Sequence, residues 1–148
     1  MEDDATKSEG KVKVTFTKKQ IGETTNYYFS PPQILTFWNG YITDIVNDKT
    51  VVMSFDKDKN YLLYKLLQKK GNYLKQLVEL SDDISLNLYS EGERYFYVRI
   101  FVPKTKMFYF RKSKGLLLKE AIVQVSNIWN TGSKWGFHLL LKTFKFSE

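Results

Sequence analysis

Apolar residues recur at every second position in most segments of this chain, and at steps of three and four in only one. The exception runs from Asn60 to Leu80, where Leu62, Leu63, Leu66, Leu67, Leu74, Leu77 and Val78 follow helical spacing. A period of two puts alternate side chains on opposite faces of a strand, whereas a period near 3.6 gathers them on one side of a helix. The chain therefore reads as mainly β with a helical insertion around residues 60–80. That insertion is either one helix broken near Gly71-Asn72 or two short helices.

The alternating segments are short. Lys11–Thr17 sets Val12, Val14 and Phe16 on one face, as a half-buried strand does. Thr24–Ser30 reads as irregular or a short edge, because Pro31-Pro32 has no N–H to give a central ladder. Gln33–Trp38 and Tyr41–Val46 flank Asn39-Gly40, a pair favoured in two-residue hairpins. Thr50–Phe55 precedes the helical region, with Asp58 or Asn60 as the expected helix cap. Ile84–Tyr89, Arg94–Val102, Met107–Arg111, Ala121–Trp129 and Lys134–Phe146 follow it. Short strands, one helix and a long closing strand suit a single OB-fold-like Greek-key β-barrel, which manages its edges by closure. A ferredoxin-like sandwich would need two helices at symmetric positions. At 148 residues the length matches one domain. The expected division is an acidic disordered tail over residues 1–10 and an OB-fold-like domain over 11–148.

Several chemistries drop out. There is no cysteine, so disulfide frameworks, zinc knuckles and cysteine nucleophiles are excluded. The lone histidine, His138, would have to carry any Ser-His-Asp triad, and no Gly-x-Ser-x-Gly elbow accompanies it. Asp56–Asn60 imitates the start of a calcium loop, but Tyr61 and Leu67 stand where Gly and Glu are needed. Asp82 and Asp83 read as a turn with Ser81. No phosphate-cradling glycine loop is present. The expectation is a non-enzymatic protein with no metal and no cofactor. Without a basic-plus-apolar leader or about 20 predominantly apolar residues in a row, an intracellular, non-membrane protein is expected.

Charge and aromaticity point to a ligand. Glu2, Asp3, Asp4 and Glu9 against Lys7 leave residues 1–10 at −3, so the rest carries +10 of the net +7. From Arg94 to Lys119 there are eight cations and no carboxylate, interleaved with Tyr95, Phe96, Tyr97, Phe101, Phe108, Tyr109 and Phe110. A solvated surface accounts for many lysines in any protein. Interleaved rings and cations also suit a polyanion whose bases stack. In Arg94–Val102 the more aliphatic even positions would face the core. If Pro103–Lys106 connects a hairpin, the outward face collects Tyr97, Arg99, Phe101, Phe108, Phe110 and Lys112. That face is either a stacking platform or the buried wall of the barrel. Lys114 extends the basic run.

Trp38, Trp129 and Trp135 each lie beside an expected turn, as core lids or as exposed stacking rings. The last strand sets Trp135, Phe137, Leu139 and Leu141 on one face, with Lys134, His138, Leu140, Lys142 and Phe144 on the other. The segment Ile122–Phe146, a strand (IVQVSNIW), a turn (NTGS) and a long strand (KWGFHLLLKTFKF), resembles the closing hairpin of single-stranded-DNA-binding proteins of large DNA viruses and some phages. The preceding ISLNLYSEGERYFYVRIFVPKTKMFYF is similar in rhythm to their middle strands. The resemblance implies an OB-class barrel that coats exposed single strands in replication, recombination or repair, in the host cytoplasm or nucleus.

The expected ligand is thus single-stranded DNA, bound without sequence preference. RNA is admitted as well, because no residue stands out as reading a 2′-hydroxyl. Homo-oligomers and replication proteins are the candidate protein partners. The alternative is a virion or transcription-complex scaffold using the aromatic face as a protein interface, since interfaces also favour Tyr, Trp, Phe and Arg.

Overall fold

The computed structural model of the protein describes residues 13–147. In chain order the elements are β1 (Thr15–Ile21), β2 (Thr24–Val46), β3 (Thr50–Asp56), α1 (Tyr61–Leu77) and β4 (Ser90–Glu91). There follow β5 (Tyr95–Phe101), α2 (Lys104–Met107), β6 (Leu117–Thr131) and β7 (Lys134–Phe146). The expected acidic tail lies outside the described residues, as does Val12 of the first expected strand.

Five strands close on themselves. The pairs β2–β3, β3–β5, β5–β7, β7–β6 and β6–β2 complete a circuit, parallel at β5–β7 and antiparallel elsewhere. This is an OB-like Greek-key barrel, with β2, β3, β5, β6 and β7 as its successive strands. The parallel seam is thin: among the described residues Phe101 opposite Leu140 is its only ladder pair. Inside the barrel, Phe55 stacks on Phe96 at 5.3 Å, with Phe37 at 5.8 Å from Phe55. Met53, Val98, Val123 and Leu141 belong to the same buried core.

The two barrel ends are plugged differently. Where β3 ends and β5 begins, α1 lays Leu67 and Leu74 over the opening, together with Val78 just past its end and Leu86 and Leu88. The helix runs unbroken through Gly71, which is buried against Leu88; the bare Cα permits this approach without ending the helix. Asn60 holds the N-cap position but makes no side-chain cap; its amide donates to the Asp56 carbonyl instead. At the other end, the floor, Met107 and Phe110 seal the barrel against Phe144 and Phe146.

The strand pairing corrects further expectations. Asn39-Gly40 is not a hairpin turn: β2 passes straight through it as a strand of 23 residues. Asn39 takes φ 59°, and the inward parity changes from Leu35 and Phe37 to Gly40 and Ile42. Gly40 is needed because a Cβ there would press on the Phe55 ring. Pro31-Pro32 does sit within a central strand, at the place where β2–β6 pairing is interrupted between Tyr28 and Gln33. The missing N–H groups therefore leave no ladder bond broken. Ile84–Tyr89 is no strand; its leucines plug the barrel end, and only Ser90 and Glu91 join β5. Met107–Arg111 is no strand either, and β5 pairs with β3 rather than with it.

Beyond the barrel, the first part of β2 continues with β1, the end of β6 and the start of β7 as a sheet extension. Within it Asn127 donates to Asn26 at 3.0 Å, both side chains being buried. β1 is exposed along its whole length, Phe16 included, rather than half-buried. No helix among the described residues is long and apolar enough to cross a membrane.

Candidate nucleic-acid interface

The strand parity of β5 sets the site. Phe96, Val98 and Ile100 point into the barrel and are 0–2% exposed, so Tyr95, Tyr97, Arg99 and Phe101 project outward. Pairing with β3 places Ser54 beside Tyr97 and Asp56 beside Tyr95, and pairing of β2 with β3 places Tyr41 beside Ser54. The small Ser54 between two tyrosines leaves a trough between their rings.

Three hollows join along this face. One, of about 470 Å³, is lined by Tyr41, Ser54, Tyr95, Tyr97 and Lys114. A second, of about 380 Å³, shares Tyr41, Ser54 and Tyr95 and adds Asp56, Lys59 and Arg94. The third, of about 250 Å³, opens on the other side of Tyr97, between β5 and the β6–β7 hairpin. Tyr97, Arg99, Trp129, Trp135, Gly136 and Phe137 line it. The thin β5–β7 seam creates this cleft, because the two strands part on leaving Phe101 and Leu140. Gly136 stands opposite Trp129 across the hairpin, and its lack of a side chain lets the indole lie over the strand. Trp135 stacks on Tyr27 at 6.2 Å.

Cations border the rings. Arg99 and Lys114 are exposed and pair with no carboxylate among the described residues. Arg94 is instead held by Asp56 at 3.1 Å and lies against the Tyr95 ring. The Lys59 backbone N–H, then the Arg94 guanidinium, hold the Asp56 carboxyl below its ordinary range. Lys57 pairs with Glu91, which also accepts from the Tyr64 hydroxyl at 2.8 Å, tying α1 to β4. The Glu91 carboxyl is lowered by that lysine and phenol, and the Tyr64 phenol is pushed up to about 12, first by its bond to Glu91. Beside Phe101, at 5.4 Å between rings, burial lowers His138.

Of the residues expected from the sequence, Tyr97, Arg99, Lys114, Trp129 and Trp135 come together here. Phe101 shares the outward row but packs against His138. Trp38 is exposed on β2 opposite Glu120, and Lys142 is exposed on β7 at a register shift; neither lines the three hollows. The face that was to unite Tyr97 with Phe108, Phe110 and Lys112 does not exist. Residues 103–116 turn under the barrel, so Phe110 is 1% exposed and belongs to the core. Phe108 and Lys112 line a separate floor hollow. Phe144, expected outward, packs on Phe110 at 4.8 Å. Tyr41 and Tyr95 were missing from the expected set, although Tyr95 shares the parity of Tyr97.

Among the described residues no group of three or more His, Asp or Glu could hold a metal ion. No protein-family model matches the chain, and neither the curated proteins nor the solved structures contain a match.

Proposed function

We propose that this protein binds single-stranded nucleic acid, DNA in the first place, without sequence preference and without catalysis. The observation that carries this reading is that Tyr97 lines two adjoining hollows. It thereby joins Tyr41 and Tyr95 on one side to Trp129 and Trp135 on the other. Rings spaced along a trough offer successive bases a π-face, which every base can use; each stack contributes about 1–3 kcal/mol. Arg99 and Lys114 follow the phosphates, and the Arg99 guanidinium adds a planar partner for a base or a phosphate. Fold-level analogy agrees: OB barrels take oligonucleotides on the face of their second and third strands, here β3 and β5, and on the loop joining the last two.

The resemblance of Ile122–Phe146 to viral and phage single-stranded-DNA-binding proteins supports a strand-coating role in replication, recombination or repair. Photocrosslinking tests the site directly. An oligothymidylate irradiated with the full chain should attach at Tyr95, Tyr97, Trp129 or Trp135. Attachment confined to β1 or α1, or none above a duplex control, contradicts the proposal.

A further inference from the structure

The floor of the barrel carries an apolar hollow of its own, of about 500 Å³, lined by Phe108, Tyr109, Arg111, Lys112, Leu116 and Phe146. Phe108 is 71% exposed and Tyr109 61%, and the two rings meet edge to face at 5.6 Å. Two aromatic rings left this open on one turn mark a binding surface more than a packing remnant.

Charge indicates what it binds. From Lys104 to Lys114 there are five cations and no carboxylate. Asp48 engages Arg111, while Lys112 and Lys114 pair with no carboxylate among the described residues. Lysine is depleted at the cores of protein interfaces, whereas a phosphate chain is attracted to it. The hollow also neighbours the groove across one short segment of chain. Ser113 and Leu116 line the hollow, and Lys114 and Gly115 between them line the groove. This ridge is fixed to β2: the Gly115 N–H donates to the Ile42 carbonyl at 2.7 Å, and the Ile42 N–H donates to the Leu116 carbonyl at 3.0 Å.

We infer that the floor hollow is a second stacking subsite for the same single strand, reached over the Lys114 ridge. A bound strand then runs from the Trp129 cleft across Tyr97 and Lys114 to Phe108. This inference rests on the nucleic-acid reading of the groove, and strand length separates the two. A strand confined to the groove does not touch Phe108; a longer one does.

The test compares oligothymidylates of about 5 and about 20 nucleotides, bracketing the span of one such barrel, on the full chain and its Phe108→Ala/Lys112→Gln variant. Affinity for the long strand should fall roughly tenfold, as losing one stacked base implies, while the short strand binds as before. Phe108→Trp should retain long-strand affinity and add a fluorescence signal that only the long strand quenches. Unchanged long-strand binding in the double variant, or equal loss on both lengths, overturns the second subsite and leaves the groove standing. Failure of the unsubstituted chain to bind either strand overturns the groove itself.

Discussion

Trp129 lies over Gly136 on the neighbouring strand, so closely that a Cβ at position 136 would overlap the indole. The ring that walls one side of the candidate cleft thus owes its position to the absence of a side chain opposite it. Gly136→Ala should swing the indole away, shift tryptophan emission and weaken single-strand binding. The forced repacking should cost about 1–3 kcal/mol of stability. Unchanged emission together with unchanged affinity would show that the ring does not depend on this glycine.

Phe108 and Phe110 are two residues apart and have opposite roles. Phe110→Ala empties the barrel floor beneath Phe144 and Phe146 and should destabilise by about 3–5 kcal/mol. Phe108→Ala removes an exposed ring and should stay within about 0.5 kcal/mol of the parent. Urea unfolding of the two variants checks the contrast, and similar midpoints would contradict it.

Gly71 is the reverse case of Gly136. A Cβ there would meet Leu88 at 3.8 Å, an ordinary contact, in the interior of α1. Gly71→Ala should therefore stabilise by roughly 0.5–1 kcal/mol through helix propensity. A lower thermal midpoint would show that the helix cannot accept the methyl.

Acid should destabilise the protein in two stages. His138 has its folded value below the ordinary 6.5 through burial, so its unfolded form takes up a proton first. Stability then falls as pH drops from about that value. Glu91 and Asp56 are lowered from 4.5 and 3.8 by their hydrogen-bond partners, so the stability they contribute is lost as pH falls below those values. His138→Gln should remove the upper stage and leave the lower one. A denaturation profile in which both stages survive that substitution contradicts the assignment.

Much of this architecture is legible in the residues alone, where a single rule governs. The parity of Phe96, Val98 and Ile100 against Tyr95, Tyr97 and Arg99 holds because one face of β5 is buried. The helical leucines mark α1 for the same reason. Legibility fails where one residue type serves two geometries. The positive φ of Asn39 serves a change of face in a continuous strand as well as a hairpin turn. Pro31 and Pro32 fit a central strand only because the ladder is interrupted there. Met107 and Phe110 are spaced by three, and Pro103 precedes a helical turn. This signal competes with the alternation of Phe108 and Phe110 and decides the fate of the whole segment.

The central claim is that the β3–β5 face and the β6–β7 hairpin take single strands by stacking. The most direct test titrates the full chain and its Tyr97→Ala/Arg99→Ala variant with oligothymidylate, RNA and duplex of equal length at two salt concentrations. Tighter binding of single strands than of duplex is predicted, with tryptophan quenching. The logarithm of affinity should fall against that of salt with a slope of about −1.4, as two phosphate contacts, from Arg99 and Lys114, imply. The variant should lose at least about tenfold. Equal affinity for duplex, or no loss in the variant, would contradict the account.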